Sequence, residues 1–168
     1  MINTFIRYGI IIILLISLQL LLFNNIQFSG YINPYVYIMI VLLLPSTIPS
    51  WLLLIISFLT GLIIDLFMGS PGMHSSATLL AGFSRPYVLA AIAPRDGYES
   101  GKELSMLVYG FRWFAVYASI IIVIHHTALF YLEVFRFSGF FRTLLRVILS
   151  SAFTTAFILL AERYRKGR

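Results

Sequence analysis

The 168-residue chain reads as an all-α, polytopic membrane protein, and three observations carry that reading. Of its residues 60% are hydrophobic and 11% charged, against roughly a half and a quarter in soluble domains. The mean hydropathy is +0.95. Apolar segments also recur along the whole length, separated by short polar or proline-containing turns, with room for six spans of about 20 residues. Residues 1–168 are therefore expected to form one six-helix domain, with no room for a separate catalytic domain. The absence of cysteine excludes a disulfide framework and a thiolate metal site. Twelve Lys and Arg against six acids give a net charge of +6, which in such a chain is first a topology signal. The basic residues are dispersed among apolar segments, so no nucleic acid is expected as a partner.

The first helix is predicted over 6–23, with Arg7 at its start. Its basic start is like that of a signal sequence. The segment is long enough to span, however, and ends in Asn24-Asn25 with no small-residue cleavage site, so it is kept as a helix. The second helix is assigned to 28–44. Asn33-Pro34 suits a helix start, where proline is at home, yet Pro34 to Leu44 covers only about 17 Å at 1.5 Å per residue. The element either begins near Phe28 or is short and partly buried. Pro45 and Pro49 then bracket a turn.

The third helix, 51–68, places Ser57, Gly61, Asp65 and Gly69 four residues apart, on one face. Small residues along one stripe let a neighbouring helix approach closely, so Asp65 is expected to face protein rather than lipid. The fourth helix, 73–93, starts after Pro71-Gly72 and repeats the pattern with Ala77 and Ala81, and with Thr78 and Gly82. Arg85-Pro86 predicts a kink. A strongly polar loop through Glu103 leads into the fifth helix, 104–130. Charges mixed with aromatics over 133–142 read as a loop at the membrane interface. The sixth helix, 143–161, carries a polar stripe of Ser150, Ser151, Thr154 and Thr155.

Placing Arg7, Arg95, Lys102, Arg163, Arg165, Lys166 and Arg168 on one side leaves Arg136 and Arg142 on the other. The excess of basic residues on the cytoplasmic side then predicts both termini inside. Asp65 and His74 lie toward the outer face. Arg95, Asp96, Glu99, Lys102 and the basic tail are the expected cytoplasmic contacts.

Asp65 is the chain's candidate functional carboxylate, because an ionisable group at membrane depth is costly and needs a partner. Its reading as a proton or ligand site is weighed against that of a helix tie through Arg146, His125 or His126. The tie is preferred, since no second membrane carboxylate completes a relay. His74, His125, His126 and Asp65 form a conceivable metal set, but no H-E-x-x-H spacing is present, and a turn histidine is the expected outcome. Arg85 and Arg112 are expected to snorkel toward the cytoplasmic side or to pair with Glu99 or Glu103. Ser75 and Ser76 adjoin His74 but cannot face it as neighbours on one helix. With no nucleophile beside a base and no phosphate cradle, no enzyme and no cofactor are expected.

Several of these motifs, in this order, are similar to the bacterial rod shape-determining protein MreD family. They are Gly61-Leu-Ile-Ile-Asp65, Gly69, Gly72-Met-His74, Asn33-Pro34-Tyr35, Leu-Leu-Leu-Pro45, Arg85-Pro86 and Pro94-Arg95-Asp96-Gly97-Tyr98-Glu99. The resemblance implies a non-enzymatic inner-membrane component of the cell-elongation machinery. It implies MreC, the MreB filament, RodA and its transpeptidase partner as partners, and the lipid bilayer as surroundings. It also implies a fold resembling the substrate-binding component of energy-coupling-factor transporters. The first helix lacks the small-residue patch with which such components dock, which counts against transporter coupling. The residues expected to act as partner contacts or structural pivot are Asp65, Gly61, Gly69, Gly72, His74, Arg85, Arg112 and Arg146. A small-solute-binding component of an uptake transporter is the alternative, with Asp65 and His74 lining its pocket.

Overall fold

A computed structural model describes residues 2–25, 32–135 and 139–165, and all regular structure in them is helical. The helices are α1 (Ile2–Leu21), α2 (Met39–Leu43), α3 (Ser50–Met68), α4 (Met73–Ala91), α5 (Met106–Tyr109), α6 (Phe111–Val134) and α7 (Phe140–Arg165). Short 3-10 turns lie at Phe23–Asn25 and at Val36–Ile38, the latter running directly into α2. Helices α3, α6 and α7 are long and apolar enough to cross a membrane. Helix α4 is as long as α3 but buries His74, Ser75, Thr78 and Arg85, which lowers its hydropathy. The extensively packed neighbours are α3 with α4, α4 with α6, and α6 with α7.

The centre of the bundle is α2 with its leading turn. Residues 36–44 are all buried, with Tyr37, Ile38, Val41 and Leu42 fully so. A helix apolar on every side belongs in an interior. The predicted span 28–44 is thereby corrected within the described residues: Ile32–Tyr35 is not helical, and 28–31 lies outside the described residues. Irregular backbone at membrane depth is stable only when other protein groups take its hydrogen bonds. Here two helices, α1 and α7, do so. Asn33 N–H donates to Ser150 Oγ at 3.0 Å and Tyr35 N–H to Thr154 Oγ1 at 3.3 Å. Val36 N–H donates to Gln19 Oε1 at 2.8 Å, and Gln19 Nε2 donates back to Pro34 O at 3.2 Å. Pro34 has no N–H to satisfy. The expected hydroxyl stripe of α7 is therefore used to hold an extended segment rather than a helix.

The other end of α2 is held the same way. Its last carbonyls have no helical partner. Arg85 Nη2 donates to Leu44 O and, at 3.4 Å, to Pro45 O, while Tyr117 Oη donates to Leu42 O at 3.2 Å. Arg85 Nε also donates to Tyr117 Oη at 2.8 Å.

The single helix expected over 104–130 is two. Gly110, with φ +84° and ψ 165°, breaks it into α5 and α6, a backbone conformation that essentially only glycine adopts. The fourth helix, by contrast, continues through Pro86 without a break. At one end of the bundle Glu103 accepts from Arg7 of α1 at 3.3 Å and pairs with Arg165 of α7 at 3.0 Å. Glu103 also forms an antiparallel bridge with Pro45, just ahead of α3. The start of α1, the 92–105 connection and the end of α7 thus share one end. The α3–α4 turn lies at the opposite end, about 27 Å away along α3 at 1.5 Å per residue.

Candidate functional site: the α3–α4 turn and the buried histidine core

Helix α3 stops at Gly69, whose left-handed conformation (φ +64°) directs its N–H to the Asp65 carbonyl. Helix α4 starts after Gly72, also left-handed (φ +86°), which has no side chain with which to cap the new helix. Asp65 supplies that cap from the preceding helix. Its Oδ1 accepts from His74 N–H at 2.9 Å and Ser70 Oγ at 3.0 Å. Its Oδ2 accepts from Ser75 N–H at 2.9 Å and Ser75 Oγ at 2.8 Å. His74 and Ser75 are the second and third helical residues, whose N–H groups a capping side chain normally serves. A negative charge there also meets the positive end of the α4 dipole. The side chain is only 3% exposed.

The expected helix tie is thus present, with different partners. Asp65 does not reach across to Arg146, His125 or His126; it ties its own hairpin. Arg146 instead pairs with Glu133 at 3.0 Å and stacks its guanidinium 4.3 Å from the Phe130 ring centre.

The small-residue stripe is what lets Asp65 reach α4. A Cβ on Gly61 would run into the Ser75 Cα and the His74 carbonyl, so the two backbones touch there. One turn back, a Cβ on Gly82 would collide with the Ser57 side chain. Ser57, Gly61 and Asp65 are buried as their spacing predicts, as are Ala77, Thr78, Ala81 and Gly82 facing them, whereas Gly69, the fourth member of the stripe, ends α3 and is exposed.

The expectations for the two arginines near the other end need correction. Arg85 neither snorkels nor meets Glu99 or Glu103; it is 1% exposed and caps α2. Glu103 is taken by Arg7 and Arg165, and Glu99 pairs with Lys102. Arg112 is exposed, because the break at Gly110 puts it in the first turn of α6 rather than deeper in a longer helix. Arg95, Asp96, Glu99, Lys102 and Arg163 are exposed. Arg165 is half-buried against Glu162, a buried carboxylate whose Oε1 lies 2.5 Å from Arg165 Nε. Lys166 and Arg168 lie outside the described residues. In the connection, the Tyr98 hydroxyl donates to Leu89 O at 2.7 Å and Trp113 Nε1 to Ile92 O at 3.0 Å, closing the last turn of α4. Burial pushes the Tyr98 phenol above its ordinary pKa.

Behind Asp65 the three histidines do converge, but around a tyrosine. Tyr37 Oη lies 2.7 Å from His125 Nε2, 3.1 Å from His74 Nδ1 and 3.3 Å from Thr78 Oγ1. His125 Nδ1 and His126 Nδ1 are 3.4 Å apart, and His126 Nε2 is 3.2 Å from Thr154 Oγ1. The Tyr35 ring packs edge-on to His74 and His125. Among the described residues no three metal-ligating side chains are placed to share an ion. Tyr37 and Gln19 have no place in the residue patterns noted above. Their signal was available: polar atoms inside otherwise aliphatic segments at 10–22 and 36–44 require buried partners.

A cavity of about 840 Å³ opens on the face between α4 and α6, lined by Ser76, Leu80, Val123, Thr127, Tyr131 and Phe135 among others. Neither Asp65 nor His74 lines it, in contrast to the pocket expected of a solute-binding component. Compared with family models, with curated proteins and with solved structures, the chain matches none.

Proposed function

We propose that the chain is a six-crossing inner-membrane scaffold of the bacterial cell-elongation machinery, as its motifs resembling the MreD family imply. The observation that carries this reading is the use made of Asp65. The carboxylate that would mark chemistry inside a membrane is spent on four hydrogen bonds, three to the start of α4 and one to Ser70 in the turn before it. The hairpin is a joint of the fold, and the two serine hydroxyls beside it both donate to Asp65. The apolar outward faces, with Ile10, Ile13, Leu66, Phe67 and Leu145 exposed, suit contact with lipid and with other membrane helices.

In this reading six passes cross the bilayer: α1, the 32–45 segment, α3, α4, α6 and α7. The positive-inside rule puts the end bearing Arg7, Arg95, Lys102, Arg163 and Arg165 in the cytoplasm. That end would meet MreB and anionic lipid. The membrane faces would hold MreC and the RodA–transpeptidase pair. The test is affinity purification of the tagged chain from bacterial membranes, with MreC and RodA probed in the eluate, alongside cell width after depletion. Co-purification with loss of rod shape is expected. Absence of both partners, with normal rods on depletion, refutes the scaffold.

The α4–α6 cavity is the observation that favours the second reading, a binding component for a small apolar solute. A bound small molecule in native mass spectra, lost when Thr127→Trp fills the cavity, would support it.

A further inference from the structure

We propose that the Tyr37, His74, His125 and His126 cluster is a binding site for one proton, taken by His74 while the Tyr37 hydroxyl re-aims from His74 to Thr78. This stands apart from the scaffold reading. It follows from counting hydrogens along the chain of contacts.

His126 Nδ1 lies 2.9 Å from Ile122 O, a carbonyl that only accepts, so that nitrogen carries the hydrogen. His126 Nε2 then accepts from the Thr154 hydroxyl at 3.2 Å, and Thr154 Oγ1 in turn accepts from Tyr35 N–H. Because His126 Nδ1 bears a hydrogen, His125 Nδ1, 3.4 Å away, must be bare. His125 therefore carries its hydrogen on Nε2 and donates to Tyr37 Oη at 2.7 Å. The Tyr37 hydrogen is left free to point at His74 Nδ1, 3.1 Å away. Thr78 has one hydrogen, and His74 O at 2.7 Å takes it, so Thr78 Oγ1 stands ready as an acceptor 3.3 Å from Tyr37. With three neutral rings the His126 Nδ1 hydrogen serves both Ile122 O and His125 Nδ1, and every contact has a hydrogen except Tyr37 Oη to Thr78 Oγ1, where two acceptors face each other.

One further proton has one place to go. On His74 Nδ1 it turns that nitrogen into a donor to Tyr37 Oη. The phenol hydrogen rotates to Thr78 Oγ1, and no contact is lost. On His125 Nδ1 it would set two N–H groups against each other across 3.4 Å. On His126 Nε2 it would force Thr154, already an acceptor for Tyr35 N–H, to give up its donor role toward the ring and accept a second hydrogen.

The surrounding charges agree with this order. On the His74 side stands the Asp65 carboxylate of α3, which already accepts the His74 backbone N–H. On the His126 side stands Arg146 of α7, stacked on Phe130, whose ring centre is 5.6 Å from that of His126. Arg146 is paired with Glu133 of α6. The remaining titratable groups facing the cluster are Tyr35 and Tyr37 of the segment ahead of α2. A positive charge is thus drawn to the Asp65 end and repelled from the Arg146 end.

The experiment is a pH titration of ring-¹⁵N-labelled histidines in the full chain, reconstituted in lipid nanodiscs, with resonances assigned by single His→Gln variants. One imidazole, His74, is expected to titrate while His125 keeps its Nε2 hydrogen and His126 its Nδ1 hydrogen. Thr78→Val removes the acceptor that the re-aimed phenol needs and should lower the His74 midpoint by about one pH unit, with Thr78→Ser restoring it. Titration of His125 or His126 before His74, or no titration before the protein unfolds, overturns the proposal. So does the opposite pair of tautomers in the unaltered protein, with the three rings assigned there by sequential backbone connectivity, a reading that requires no variant to fold.

Discussion

Asp65→Ala tests the joint on which the α3–α4 hairpin depends. The substitution removes the acceptor for two N–H groups at the start of α4 and for two serine hydroxyls. A buried donor left without a partner costs about 1–3 kcal/mol, and loss of an N-cap typically costs about 0.5–2 kcal/mol. The Ser75 hydroxyl can turn and accept from one of the orphaned N–H groups, so the two contributions do not simply add. The expected loss is about 2–4 kcal/mol for Asp65→Ala. Asp65→Asn retains one carbonyl oxygen and should lose about half as much. Ser75→Ala removes one hydroxyl donor and leaves both N–H bonds, so its cost should be nearer 1 kcal/mol. Reversible unfolding in mixed micelles against a rising fraction of denaturing detergent, read by tryptophan fluorescence, gives the three values. If Asp65→Ala lies within about 0.5 kcal/mol of the parent protein, as an inconsequential surface change would, the cap is not what holds the hairpin.

Gly61→Ala forces a methyl group against the α4 backbone rather than a yielding side chain, so it should cost at least the about 1–3 kcal/mol of ordinary overpacking. Its unfolding midpoint, compared with that of Gly9→Ala where a Cβ meets nothing within 4 Å, isolates the effect. Arg85→Met keeps the stem but abandons the Leu44 and Pro45 carbonyls and the Tyr117 hydroxyl, with an expected cost of about 2–4 kcal/mol and increased proteolysis near Pro45. An unchanged cleavage pattern would remove Arg85 from its capping role. Arg165→Ala takes the cation from the buried Glu162 carboxylate, leaving it the Met106 N–H, and should cost about 3 kcal/mol, whereas Lys102→Ala, which breaks only the exposed pair with Glu99, should fall within about 0.5 kcal/mol. Equal effects of the two in one denaturation series would contradict the burial of Glu162.

The membrane class, the inward stripe of α3 and its counterpart on α4 were legible in the sequence because they are local properties. Composition reports the solvent. Residues four apart on a helix share a face whatever surrounds them. Ser57, Gly61, Asp65, Ala77, Thr78, Ala81 and Gly82 are buried for that reason. The turn was legible too: Gly69 and Gly72 sit where the chain needs left-handed residues. Gly110 carried the same kind of signal, yet it falls inside a continuous apolar run, and periodicity ran the helix through it.

Non-local hydrogen bonding was beyond reach of the sequence alone. Nothing along the chain says that the carboxylate of Asp65 is answered nine and ten residues later by backbone N–H groups rather than by a cation. Arg85, 41 and 40 residues beyond the two carbonyls it caps, poses the same difficulty. The shortness of α2 was decided by partners from α1, α4, α6 and α7, because irregular backbone at membrane depth survives only where distant side chains complete it. Gln19, Ser150, Thr154, Arg85 and Tyr117 do so here. The three histidines could be counted in the sequence. That His74 and His125 meet through the Tyr37 hydroxyl and His126 joins them through His125, in an order that leaves one of them able to take a proton, is a property of the assembled bundle alone.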